Sequence, residues 1–252
     1  MRGVPRYSLI KSLNTKLPRG VPLDLDALKS VGISSKQAAR YVESGWLQRL
    51  GQGVYAFPDD TLSLHECIKL LQKRVPGLHV ASKSALALQG VRHNLGAKER
   101  VLLWGDVRFE LPEWFTSRFP ARYSHSRLFK WKDRSLSSKS LMTPPGVTEG
   151  LQVSVPERAV LEMLSEVGRH QDLEEARNIF DGLRNPRTKI LGDLLTCCAS
   201  VKAVRLFLAW ARETKVVEVD QLLKDYPLPI GSEKRWISRL KDGTLLSLKP
   251  HG

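Results

Sequence analysis

The sequence predicts an α+β protein, with an N-terminal winged helix-turn-helix followed by a mixed α/β C-terminal domain whose second half is helical. Three observations predict it. Residues 24–57 hold two short runs of apolar residues at helical spacing, separated by glycine, and then a hairpin pattern. Residues 101–155 carry short, strand-like apolar runs, and from Val155 onward the apolar period becomes that of a helix. The expected division is 1–90 for the winged helix-turn-helix with a helical extension, and 91–252 for the second domain.

Asp24 to Val31 places Leu25, Leu28 and Val31 on one face, and Gly32 stops the helix where a tight turn is needed. Ser34 then opens a second helix, with Gln37 three residues on. In that spacing the two side chains can satisfy each other's orphan backbone donors. Ala38 and Val42 face inward on this helix, while Lys36, Arg40 and Glu43 face outward. Gly45 ends it. Leu47 to Leu50 and Val54 to Phe57 flank Gly51-Gln52-Gly53, a hairpin signal that makes the wing.

DNA is the partner this order of elements suggests, because the major groove admits one helix and its base edges are read from that helix's first turns. The candidate DNA-binding residues are Ser35, Lys36, Gln37, Arg40 and Tyr41 on the helix, with Arg49 and Gln52 on the wing. Two tensions accompany the list. A Gln37 that closes the capping box is less free to read a base, and Tyr41 can either contact the DNA backbone or pack on the domain.

Charge points the same way. Residues 1–57 hold nine Lys/Arg against three acids, and the whole chain of 252 residues carries a formal +14. Such a balance attracts polyanions without specifying a sequence. At 42% hydrophobic residues the chain has a core to bury and is globular. The N-terminus lacks a continuous apolar signal region, and no stretch approaches the roughly 20 apolar residues that span a bilayer. A cytoplasmic protein with no membrane partner is expected. Cys67 stands alone and Cys197-Cys198 are adjacent, which is neither a disulfide framework nor metal-ligand spacing.

After Pro58-Asp59-Asp60-Thr61, an amphipathic helix through Leu64, Ile68, Leu71 and Val75 ends before Pro76-Gly77. A strand at 78–81 and a helix at 83–88 are expected to extend the winged helix. Strands are expected at Val101–Trp104, Phe109–Leu111, Arg122–His125 and Val153–Val155. Between them, residues 114–141 interleave aromatics and cations, and Arg118, Arg122, Arg127, Lys130 and Lys132 are a candidate partner surface. The plainer reading is that these aromatics are core and the cations their solvated neighbours. Ser135 to Gly146 reads as a loop. Pro156 to Val167 and Asp172 to Leu183 read as helices with solvated carboxylates, and Ile190 to Trp210 as two buried helices broken near Ala199-Ser200. A final hairpin turns at Asp242-Gly243.

Motifs of enzyme chemistry do not stand out. The sequence holds no phosphate-cradling G-x-x-x-x-G-K-[ST], no G-x-G-x-x-G after a strand, no H-E-x-x-H and no G-x-S-x-G. His79, His93 and His125 are scattered, each a packed or surface histidine in the absence of a partner pattern. No catalytic residue, cofactor or metal ligand is therefore nominated.

Several blocks resemble one known family in order and spacing. Val31 to Tyr55 looks like the N-terminal winged helix-turn-helix of AbiEi-like antitoxins of type IV toxin-antitoxin systems. Gly77-Leu78-His79, Ser84 to Gly90 and His93 resemble that family's next segment. Pro156-Glu157-Arg158-Ala159, Leu194-Leu195 with Cys198, and Ser200-Val201-Lys202 with Arg205 to Leu208 resemble its C-terminal domain. The resemblance implies a transcriptional regulator that represses its own operon and counteracts a nucleotidyltransferase-like toxin encoded beside it. Its partners would be double-stranded promoter DNA, read as paired half-sites, and that toxin, directly or indirectly. Two other readings stay open: a winged-helix interaction scaffold without sequence-specific DNA binding, and a nucleic-acid-processing enzyme with a dispersed site.

Overall fold

The computed structural model describes residues 15–91, 100–125, 127–131, 134–147, 149–232, 235–239, 243 and 245–248. Arg2, Arg6, Lys11, His93, Lys132 and Asp242 lie outside the described residues. The chain forms two compact units, Met1–Val75 with Glu110–Phe119, and Pro76–Phe109 with Pro120–Gly252. In chain order β1 (Leu23–Asp24), α1 (Leu25–Ser30), α2 (Ser35–Glu43), β2 (Gln48–Gly51), β3 (Val54–Ala56) and α3 (Leu64–Arg74) belong to the first. β4 (His79–Val80), α4 (Ser82–Leu88) and β5 (Val101–Gly105) open the second, and α5 (Glu113–Thr116) rejoins the first. The second then continues through β6 (Ala121–His125), α6 (Arg134–Lys139), β7 (Leu141–Met142), β8 (Val153–Ser154) and α7 (Pro156–Glu166). It ends with α8 (Leu173–Asp181), α9 (Thr188–Cys197), α10 (Val201–Thr214), α11 (Val219–Asp225), β9 (Trp236–Arg239) and β10 (Leu245–Leu248). The result is α+β, as the sequence predicts.

In the first unit three strands pair antiparallel in the order β1-β3-β2. Leu23, Leu28, Ile33, Ala38, Tyr41, Leu47, Tyr55 and Phe57 close over this small sheet as one buried cluster. α3 adds Cys67, Ile68, Leu70 and Leu71 to the interior. The Cys67 thiol is pushed up to about 12 by burial, so it behaves as a small apolar group.

A five-stranded mixed sheet, in the order β6-β5-β4-β8-β7, forms the second unit's floor. β5 and β6 run parallel, with Val101 opposite Ala121 and Gly105 opposite His125. Residues 106–120 connect them, and this crossover is the piece of chain that supplies α5 to the first unit. α7 packs against α4, α9 and α10, and nearly every residue from Glu157 to Glu166 is buried. Phe180 meets Phe207 and Trp210 edge to face, with ring centroids 5.5 and 5.4 Å apart.

Several expectations give way. The segment 78–88 does not extend the winged helix, because β4 pairs with β5 and β8 and carries α4 into the second unit. Phe109–Leu111 forms no strand; Phe109 packs edge to face on Tyr123 and the chain proceeds to α5. Ser135–Gly146 is not a plain loop but contains most of α6 and all of β7, which pairs with β8.

The carboxylates of α7 are not a solvated face. Glu157 is 2% exposed and Glu162 is fully buried. Glu162 accepts from the Ser82 amide at 2.9 Å, from the Ser154 hydroxyl at 2.9 and 3.0 Å, and from Arg158 Nε at 2.7 Å, and it lies 3.1 Å from His79 Nε2. Gly77 O lies 2.7 Å from the other ring nitrogen, so both nitrogens of His79 face acceptors. Burial alone would raise the Glu162 pKa, but Arg158 and His79 more than offset it and hold the carboxyl below the usual range. Glu157 behaves alike: burial opposes ionisation, and Arg187 overcomes this with bonds from its amide at 2.7 Å and its guanidinium at 2.9 and 2.8 Å.

Replacing Glu162 with Ala leaves Arg158 buried without its anion and should cost about 3–5 kcal/mol of unfolding free energy, read by urea denaturation. The pH dependence has a definite sign. Both folded pKa values are depressed, so the stability they contribute is full above the unfolded glutamate pKa of about 4.3 and is lost as pH falls through the folded values. Thermal melts from about pH 6 down to about pH 2 should show Tm falling most steeply in the acid half of that range for the native chain, with a shallower fall in Glu157→Gln.

Candidate nucleic-acid interface

The first unit's outward surface is set by two N-caps. Asp24 accepts from the Ala27 amide at 2.8 Å and starts α1. Partial burial would raise its pKa, but Lys73 at 2.6 Å and the Ala27 amide hold it below the usual carboxylate range. Ser34 starts α2 with a complete capping box: its hydroxyl accepts from the Gln37 amide at 3.3 Å, and the Gln37 side-chain oxygen accepts from the Ser34 amide at 2.8 Å. Two backbone donors that would otherwise face solvent unpaired are thereby satisfied.

α2 buries Ala38 and Tyr41 and leaves Ser35, Lys36, Ala39, Arg40 and Glu43 exposed. Val42, expected inside, is only partly buried, because Tyr41 takes the inward position at 3% exposure. Tyr41 is therefore a core residue rather than a DNA contact. Its carbonyl also accepts from the amides of Trp46 and Leu47 at 2.8 and 3.1 Å, which turns the chain from α2 into the wing. Gln37 is half-buried and spent on the cap, so of its two roles the structural one is occupied.

Beyond the turn, β2 and β3 form the wing, with Gln48 opposite Ala56 and an irregularity between Arg49 and Gly51. Gly53 has a φ of +62°, a conformation that favours glycine. The guanidinium of Arg74 reaches the tip, donating to Gln52 O at 3.4 Å and Gly53 O at 2.8 Å. Arg49 and Gln52 are exposed on this hairpin.

Lys36, Arg40 and Arg49 are thus solvent-exposed on α2 and the wing, and among the described residues none of the three forms an ion pair. Other cations of this unit are occupied: Arg19 bonds Asp60 at 2.7 Å and lies 4.5 Å over the Phe57 ring, and Lys73 bridges Asp24 and Asp26. Cations left unpaired on one helix face beside a wing suit a polyanion that fills a groove. Trp46, which the sequence reading passed over, is 42% exposed directly after α2. An aromatic following a helix-ending glycine was the signal available for it.

The 114–141 segment is divided between the two units. Arg118 belongs to the first unit and donates to Trp114 O at 2.7 Å, whereas Arg122, Arg127 and Lys130 belong to the second. Arg122 is paired with Glu166. Trp114, Phe115 and Phe129 are buried, and Phe129 stacks on Trp131 at 5.0 Å with Arg158 near both rings. The aromatics are largely interior, as the plainer reading has it. Among the described residues no group of three or more His, Cys, Asp or Glu side chains is placed to hold a metal, and no described helix is long and apolar enough to cross a membrane.

Comparison with known proteins gives concordant matches at both ends. Residues 6–97 match a family described as transcriptional regulator, AbiEi antitoxin N-terminal domain, and residues 98–249 match one described as transcriptional regulator, AbiEi antitoxin, type IV toxin-antitoxin system. No curated protein matches the sequence. Among solved structures the chain is similar to the crystal structure of the RV2827C protein from Mycobacterium tuberculosis, with a TM-score of 0.60 at 15% identity over 94% of this chain and 90% of that one. At that identity the likeness is one of fold.

The cap carries a measurable share of this surface. Ser34→Ala should lower the unfolding free energy by about 1 kcal/mol in a denaturant titration followed by circular dichroism; an unchanged midpoint would show that α2 does not depend on its capping box.

Proposed function

The chain belongs to the AbiEi antitoxin family of transcriptional regulators, and on that premise we propose that it represses its own operon by docking α2 in the major groove of its promoter. Ser35, Lys36 and Arg40 face the base edges or the flanking phosphates, and Arg49 and Gln52 on the wing hold the backbone alongside. Gln37 acts indirectly, by fixing the angle at which α2 leaves its cap. The observation that carries this reading is the exposed, unpaired cationic face of α2 next to a wing whose tip is anchored.

A helix of nine residues reads few base pairs, so binding as paired half-sites supplies the remaining specificity. In the same proposal the protein works in the cytoplasm, where the DNA is, and counteracts a nucleotidyltransferase-like toxin encoded beside it. The second unit, which holds most of the chain's mass and no part of the α2 face, is the part assigned to that antagonism.

Replacing Lys36 and Arg40 together with Ala should weaken retardation of the chain's own promoter by about 1–3 kcal/mol per lost base contact, and each lost phosphate contact should flatten the salt slope by about 0.9. The thermal melt should be unchanged, since both side chains are exposed. Unaltered promoter binding would overturn the assignment of α2. The same full-length variant, co-expressed with the neighbouring gene product, should still protect cells if antagonism resides in the second unit; loss of protection at normal protein levels would place it elsewhere.

A further inference from the structure

The wing is built on an edge strand. In the order β1-β3-β2, the strand β2 pairs on one side only, and from Arg49 to Gly51 it advances two residues while β3 advances one, from Tyr55 to Val54. An extra residue in one strand bends it, raises the local twist and re-aims the side chains around it. Arg49 stands at that irregularity and Gln52 just beyond it, both exposed.

A bulge on an edge keeps its shape through what lies against it, and here that is Trp114. A Cβ added at Gly51 would stand 2.9 Å from Cδ1 of the Trp114 indole and 3.6 Å from its Nε1. The ring therefore rests on the backbone of β2, an approach that a side chain at position 51 would block. Trp114 is itself held: it is buried, Phe115 meets it edge to face at 5.9 Å, and Arg118 Nη1 donates to its carbonyl at 2.7 Å.

The helix that carries Trp114 does not belong to the N-terminal run of chain. α5 is the middle of the crossover between β5 and β6, and both ends of that crossover are fastened in the second unit. On one side the Tyr123 hydroxyl donates to Val107 O at 2.6 Å, and on the other the Val101 amide donates to Pro120 O at 2.8 Å. The wing thus leans on a residue supplied from far downstream in the sequence.

We propose that Trp114 is the positioning residue of the wing: laid on Gly51, its indole fixes the irregularity in β2 and so aims Arg49 and Gln52 at DNA. The aim at DNA rests on the function proposed above, whereas the hold on the wing does not.

Amide hydrogen exchange of the full-length chain without DNA tests the hold. In Trp114→Ala the amides of residues 48–56 should exchange at least about tenfold faster, with those of α2 unchanged. Gly51→Ala, which keeps the indole but puts a methyl in its way, should loosen the same amides and serves should Trp114→Ala fold poorly. Added to Trp114→Ala it should change nothing further, because the group it displaces is gone. Native exchange in both single variants would overturn the role, as would equal acceleration of wing and α2, the mark of a plain core residue.

Promoter retardation then tests the aim. Arg49→Ala should weaken binding by the native chain about tenfold, the value of one charge-assisted hydrogen bond, and by less than about twofold in the Gly51→Ala background. Lys36→Ala should cost the same in both backgrounds, since α2 does not depend on Trp114. Equal losses on Arg49→Ala in the two backgrounds would overturn the reach of Trp114 to DNA. A native chain that retains no promoter defeats the DNA reading instead, and the exchange rates then decide Trp114 by themselves.

Discussion

A single buried carboxylate organises the larger part of this molecule. Glu162 on α7 has no access to solvent, yet it stays ionised because four groups from different parts of the chain converge on it. The His79 ring comes from β4, the Ser82 amide from the start of α4, the Ser154 hydroxyl from β8 and the Arg158 guanidinium from one turn back on α7. Arg158 then extends the network to the Ser140 hydroxyl at 3.1 Å, just ahead of β7, and to the faces of Phe129 and Trp131. One negative charge therefore fixes the register of two neighbouring strands, the entry angle of a helix and the depth of another. Apolar contacts could bury the same surface in several arrangements, whereas a carboxylate with this many donors is satisfied in one. Ser82 shows the strength of the demand: it holds a φ of +55°, unfavourable for a residue with a Cβ, while its amide points at Glu162.

The first unit reaches definition by other means. No buried ion pair lies at its centre among the described residues; instead side chains of helix, turn and wing share one apolar cluster, and Tyr41 sits where α2 meets the strands. Because Tyr41 faces in, Lys36 and Arg40 face out, and because Ser34 and Gln37 close the cap, the first turn of α2 starts at a fixed angle. The chemistry available on the outside thus follows from packing on the inside. The second unit mirrors this with polar groups, for the end of α7 both terminates the Glu162 helix and supplies Glu166 to Arg122 on β6.

Much of this was legible in the sequence where periodicity and capping act locally. The α1–α2 pair, the wing, the strand pairs β5 and β6, and the helices from α7 to α10 all follow from apolar spacing, with Gly32, Gly45 and Ser34 as punctuation. Non-local compensation was not legible. Glu157 and Glu162 look like a solvated stripe when their partners, Arg187 and His79, lie 30 and 83 residues away. β4 and α4 looked like an appendage of the winged helix because nothing in 78–88 announces that its strand partners are β5 and β8. α6 and β7 hid in a Ser-rich run because a one-and-a-half-turn helix and a two-residue strand are held by neighbours rather than by propensity. On the outer face of α2 the exposed cations were readable, whereas the inward turn of Tyr41 was not, since Tyr and Val compete for the same face of a short amphipathic helix.

The grip of Arg74 on the wing has a consequence for kinetics. A two-stranded hairpin is marginal by itself, and a free one would lose conformational entropy whenever a ligand captured it. Here the carbonyls of Gln52 and Gly53 are already held by a guanidinium from α3, and neighbouring Lys73 ties the same helix to Asp24 at the root of the sheet. The ordering cost is met once, during folding, rather than at each encounter. A wing held in this way presents a preset shape, so changes to the residues it displays should alter how long a complex lasts far more than how fast it forms.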